Sequence, residues 1–139
     1  MKIYAALDED AQQGWVWLQD TKLKPRGVVK ITNPSTGKSI HCEALQIDKN
    51  FLERYNKKPR VPIKAPASAL VMGAWYRANL GGLVPQTDVP LKITSCWSWL
   101  AQFKACTDHP QVVVRLAAWL GALGLLLGII GLLIGIASL

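Results

Sequence analysis

The sequence predicts a small mainly-β barrel of the α+β class, followed by an amphipathic helix and a single C-terminal transmembrane helix. Three observations carry that prediction. Residues 116–139 include no charged side chain. Residues 1–95 set short apolar runs between turn-forming residues, the pattern of strands. Between these regions, 96–106 places Trp99, Leu100 and Phe103 on one helical face with Trp97 beside it. The chain therefore divides into a cytosolic β-barrel-like domain at 1–95, an amphipathic interfacial helix and linker at 96–111, and a transmembrane helix at 112–139.

Residues 2–7 and 15–18 read as short strands, with Trp15 and Trp17 on one sheet face. Residues 27–32 and 39–47 read as a β-hairpin around 33–38, whose Asn-Pro-Ser-Thr-Gly-Lys has turn chemistry throughout. Asp48 then caps a short helix at 50–55. Residues 57–66 form a proline-punctuated connection with a candidate strand at 60–63. Residues 67–80 read either as one helix or as a strand at 70–73 followed by a helix, and Gly81-Gly82 ends the unit. A last strand is expected at 89–94, at an edge because of Pro90. Asp108-His109-Pro110 separates the amphipathic helix from the span, since proline removes a backbone donor and restricts the residue before it.

At about 1.5 Å per residue, a helix over 116–139 reaches about 36 Å, enough for a hydrocarbon core of about 30 Å. Gly121, Gly124, Gly128, Gly131 and Gly135 recur at alternating intervals of three and four, so they share one face, and Ala117 and Ser138 continue it. Small residues allow the close backbone approach that associates helices in lipid. Each glycine weakens a helix by about 1 kcal/mol in water, which makes a chance scatter a poor explanation. The helix is expected to pack against itself or against another transmembrane helix.

The net charge is +7, with the densest cluster at Lys57, Lys58, Arg60 and Lys64. That cluster is either a solvated loop or a contact for anionic lipid or a partner. It lacks interleaved aromatics, which speaks against nucleic acid. The three cysteines, Cys42, Cys96 and Cys106, are odd in number and show no framework spacing, which fits a reducing compartment. The N-terminus lacks the pattern of a secretory signal and the one expected span lies at the C-terminus, so the expected class is tail-anchored. Lys104 and Arg115 flank the start of the span, and the positive-inside rule then places the N-terminal domain in the cytoplasm. Trp97, Trp99, Phe103, Lys104, Arg115 and Trp119 are the expected membrane-interface residues, because tryptophan favours that layer, and 96–106 is expected either to lie against the membrane surface or to pack under the barrel.

Two stretches resemble the double-psi β-barrel, in particular the N-terminal barrel of valosin-containing-protein-type AAA ATPases. One is 24–48, a basic strand and glycine-containing hairpin ending in Ala-Leu-Gln-Ile-Asp. The other is Leu-Val-Met-Gly-Ala-Trp-Tyr-Arg-Ala-Asn-Leu-Gly-Gly at 70–82, leading to Val-Pro-Leu-Lys-Ile at 89–93. The resemblance covers 22–94 and implies a module that binds adaptors or substrates. The sequence departs from the family where Pro25-Arg26-Gly27 and Thr87-Asp88 stand in place of the usual Gly-Asp pair, and no ATPase domain follows.

The chemical motifs thin out on inspection. Gly37-Lys38-Ser39 suggests a phosphate loop, but Thr32 stands where the first glycine belongs and strand-like residues follow, so it reads as a hairpin turn. His41, Cys42, Cys96, Cys106 and His109 match no zinc spacing, and Cys42 reads as a small buried hydrophobe. Cys106, just before the span, is a candidate for palmitoylation. Asp8-Glu9-Asp10 reads as a solvated turn, and Tyr76 and Arg77 as core and a surface salt bridge. No residue set supports catalysis, and neither a metal nor a cofactor is expected. The favoured function is an oligomerising scaffold or adaptor whose barrel binds a protein or small ligand. The alternatives are a signal-gated membrane-disrupting effector and an accessory subunit of a larger membrane complex.

Overall fold

Apolar side chains at every second strand position fill the inside of a closed sheet in the computed structural model, which describes residues 1–138. Leu139, the last residue of the expected span, lies outside the described residues. The strands are β1 (Lys2–Ala5), β2 (Trp15–Leu18), β3 (Arg26–Asn33), β4 (Lys38–Gln46), β5 (Ala69–Met72) and β6 (Lys92–Ser95). The helices are α1 (Lys49–Tyr55), α2 (Ala74–Asn79), α3 (Trp99–Thr107) and α4 (Val112–Ala137), and a single 3₁₀ turn (Pro66–Ser68) precedes β5.

The sheet order is β1-β5-β2-β4-β3-β6, with β1–β5 and β2–β4 parallel and the other pairs antiparallel. One segment joins its two edges. Gln86 and Val89 donate to the Ile3 and Met1 carbonyls at 2.7 and 2.9 Å, while Thr87 accepts from Ile3. A few residues later the same segment, as β6, pairs with β3 from Ile31 to Ile93 and onward. Pairing with β1 at one end and β3 at the other closes the sheet into a barrel and leaves no long free edge. The expected strand at 89–94 is thereby shifted to Lys92–Ser95, because Pro90 has no N–H to give a ladder and the chain turns there from one edge to the other.

The interior holds Ile3, Val16, Leu18, Val29, Ile31, Ile40, Cys42, Leu70 and Met72, closed at one end by Tyr76 of α2 and by Leu80 just after it. A second cluster lies outside β1, β5 and β2, under α1. There Trp17 stacks on Phe51 with ring centroids 4.3 Å apart, and Phe51 on Tyr55. Trp17 thus serves α1, while Val16 and Leu18 point inward. β5 is buried at all four positions because the barrel covers one face and α1 the other. That is why 67–80 reads ambiguously: a strand buried on both sides loses its alternation. Of the two readings, strand followed by helix is the observed one, and the single helix is not.

Local signals set the ends of the helices. Asp48 caps α1 by accepting from Phe51 N at 2.7 Å, and Ser98 caps α3 by accepting from Ala101 N at 3.2 Å. α3 therefore starts at Trp99, later than the 96–106 window. Gly37, with φ +69°, forms the β3–β4 turn, so Gly37-Lys38-Ser39 is a hairpin turn. The candidate strand at 60–63 is absent. Those residues pair with no strand, and Ile63 is instead anchored by donating to Asn56 Oδ1 at 2.8 Å and burying its side chain.

Candidate membrane anchor and its junction with the barrel

α4 is the one helix among the described residues long and apolar enough to cross a membrane. Its 26 residues extend about 39 Å, and none is buried. Continuous helix geometry sets Gly121, Gly124, Gly128, Gly131 and Gly135 along a single face. A Cβ at any of the five would meet nothing within 4 Å. Ala117 lies on the same exposed face, and Ser138 turns its hydroxyl back to the Gly135 carbonyl at 2.9 Å. Among the described residues, nothing packs on this glycine seam.

The turn between α3 and α4 is bound tightly to the barrel. In the parallel ladder, Glu43 N donates to the Gly14 carbonyl just before β2 begins. Two residues earlier on β4, beyond the start of β2, His41 N donates instead to Asp108 Oδ2 at 2.7 Å. The Asp108 carbonyl accepts from Trp75 Nε1 at 2.9 Å. Gln111 Nε2 reaches the Gln12 carbonyl at 2.9 Å. Arg115, in the first turn of α4, donates to the carbonyls of His109 and Pro110 at 2.7 and 2.9 Å and lies 4.5 Å from the Trp75 ring. Gly14, with φ +76°, lies so close under the His109 ring that any side chain there would collide with it. Residues 98–111 are thus part of the barrel's packing.

The electrostatics follow from that packing. Burial pushes the His41 imidazole below its ordinary value, against the opposing pull of Asp108 3.4 Å away. Burial lowers His109 as well, and the nearby Arg115 adds to the effect. The Cys42 thiol and the Tyr76 hydroxyl are both raised by burial. Tyr76 spends its hydroxyl on the Gly14 carbonyl at 3.0 Å.

α3 crosses the outside of β3 and β4 and meets the start of α4. Its buried contact is Ala101, while Trp99 and Leu100 face outward. Phe103 packs edge-on against Trp119 of α4 at 5.9 Å. Trp97 is exposed with Lys24 Nζ 3.9 Å from its ring, and Lys104 is exposed. Of the six expected interface residues, all lie on α3, on the turn before it or on the first two turns of α4. An open cleft of about 490 Å³ separates α3 from the barrel and is lined by Arg26, Glu43, Cys96, Trp97, Cys106 and His109, among others. Arg26 and Glu43 form a two-point ion pair on its wall at 2.6 and 2.9 Å.

Lys57, Lys58, Arg60 and Lys64 are exposed on the connection after α1, on the opposite flank from α3. Lys57 and Arg60 share an open cleft with Asp8 and Glu9. The acidic run is more than a solvated turn. Asp10 is buried, accepts from Trp17 Nε1 at 3.1 Å and meets Arg54 at 3.3 Å, while Glu9 pairs with the same guanidinium at 3.2 Å. Arg77 makes no surface salt bridge among the described residues and donates to the Leu83 carbonyl at 3.4 Å. Cys42 is fully buried and Cys106 exposed. Among the described residues, no group of three or more His, Cys, Asp or Glu side chains is placed to hold a metal ion. The junction itself had no sequence signal. Asp108 reads as a helix breaker, and its bond to β4 depends on a contact 67 positions away.

No family model matches this chain, and no curated protein matches it. Among solved structures it is similar to a rationally designed protein, mkDPBB_sym2, with a TM-score of 0.46 and 16% identity over 68% of this chain and 94% of the other. The likeness is too slight to carry weight beside the strand order and closure described above.

Proposed function

We propose that the chain is a single-pass membrane protein in which α4 both anchors the barrel and assembles with other helices through its glycine face. The observation that carries this is the unpartnered seam on a helix whose apolar length suits a bilayer. The barrel then acts as a scaffold or adaptor module on the cytoplasmic side, an orientation supported by Lys104 and Arg115 at the start of the span. The double-psi resemblance to valosin-containing-protein-type barrels favours adaptor or ligand binding, and the cleft between α3 and the barrel is of a size suited to a small ligand or peptide.

The test is the mass of the detergent-extracted complex, comparing the wild type with Gly128→Leu. Open space around Gly128 means the substitution leaves the barrel intact, so a change in mass reports association. Loss of close approach should weaken assembly by about 1 kcal/mol or more. An unchanged mass removes the seam from the reading. A species that carries other proteins and loses them in the variant favours an accessory subunit. A membrane-disrupting effector is disfavoured by the lining it would present, since Ser138 is the one hydroxyl, amide or charged side chain in 116–139 and bonds to its own helix.

A further inference from the structure

We propose that the outer face of α3 lies in the headgroup layer of the bilayer that α4 crosses, holding the barrel flat against an anionic membrane surface. The inference rests on the reading of α4 as a membrane span. It starts from a mismatch of lengths. α4 extends about 39 Å, whereas the hydrocarbon core is about 30 Å, so the helix has more than a turn to place outside it. Arg115 decides which end protrudes. Its guanidinium is held at the His109 and Pro110 carbonyls, on the barrel side, and the uncharged run begins one residue later.

Trp119 then falls one turn into that run, at the depth where indoles gather. Phe103 packs on Trp119, so α3 is held at the same depth. There α3 presents Trp99 and Leu100, 71% and 52% exposed, and the preceding Trp97 is 61% exposed. These are large apolar groups on a helix whose barrel contact is made by Ala101, an arrangement opposite to that of a helix built only to cover a sheet. The charges along this segment have one sign, and Glu43, a carboxylate in the cleft beside Trp97, is paired with Arg26. Lys24 lies over Trp97, Lys104 is on α3, and residues 92–107 contain no carboxylate. Asp108, the first acid after them, faces His41 and is spent on its backbone N–H. An apolar face flanked by Lys24 and Lys104 and continuous with a span fits anionic headgroups over acyl chains.

The experiment places a nitroxide at Leu100→Cys in the full chain, with Cys96 and Cys106 replaced by serine. Cys42 stays, because it is fully buried. Trp99→Cys is a second reporter on the same face, Ile129→Cys marks the span and Ser35→Cys marks the barrel surface. Collisions with oxygen and with a water-soluble nickel complex are measured in vesicles of phosphatidylcholine and phosphatidylglycerol. The expected result is an oxygen-to-nickel ratio at 99 and 100 several-fold above that at 35 and below that at 129. A ratio at 99 and 100 equal to that at 35, with 129 protected, overturns the inference and leaves the anchor standing. Low collision with both reagents at 99 and 100 overturns it in favour of a protein covering α3. Nickel access at 129 overturns the span reading and this inference together.

Discussion

The Asp108 carboxylate occupies a ladder position on β4, accepting the His41 N–H at 2.7 Å just beyond the start of β2. A side chain from the turn before α4 thus does the work of a backbone carbonyl in the sheet. The same residue's carbonyl holds Trp75 of α2. One aspartate therefore ties the barrel wall, its end helix and the turn before α4 together.

Replacing Asp108 with alanine should strand the His41 N–H, a partly buried donor, and remove a bond to a charged acceptor. The expected loss is about 2 kcal/mol of barrel stability. Asp108→Asn keeps an acceptor and should cost less. Thermal unfolding of the detergent-extracted protein, followed by tryptophan fluorescence, checks both, and equal Tm values for the wild type and Asp108→Ala would refute the ladder role.

The junction should weaken in mild acid. His41 and His109 both have folded-state values below the ordinary 6.5, so the folded protein binds their protons less readily than the unfolded chain does. Their contribution is fully present above pH 6.5 and is lost as pH falls through the lowered folded values. Asp108 limits the effect at His41 by favouring its charged form. Stability measured between pH 7.5 and 5 should fall with acid, and His109→Gln should flatten the slope.

Gly14→Ala tests the docking of the turn. The position has a left-handed φ, which costs an alanine about 1–2 kcal/mol, and the new methyl would meet the His109 ring. Proteolysis near 107–112 should accelerate. Gly27→Ala, where a Cβ meets nothing within 4 Å, should leave the cleavage rate as it is.

Truncation locates the end of the folded unit. A chain ending at Gln111 keeps the bonds of Asp108 and Gln111 to the barrel and should remain folded and soluble. A chain ending at Ser95 loses them along with the cover that α3 gives to β3 and β4, and should aggregate. Heteronuclear spectra of the two fragments distinguish them. Equal dispersion in both would confine the fold to 1–95.

Features that depend on neighbours along the chain are legible from the residues alone. The uncharged run of α4 and the register of its glycines follow from helical period alone. The β3–β4 hairpin follows from a turn whose glycine takes φ +69°, and α1 from the cap at Asp48. The tertiary structure decided which distant groups meet. Barrel closure needs 86–95 to pair with β1 and β3 at once, and no local periodicity encodes a choice between two strands. α3 reads as amphipathic in the expected sense, yet it buries Ala101 and exposes Trp99, an outcome set by its contact with β3 and β4. Asp10 looks solvated beside Asp8 and Glu9, but Trp17 and Arg54 supply the partners that make its burial affordable. Hydrogen bonds and ion pairs between distant positions form where the fold brings donor and acceptor into line, and only the assembled chain sets that geometry.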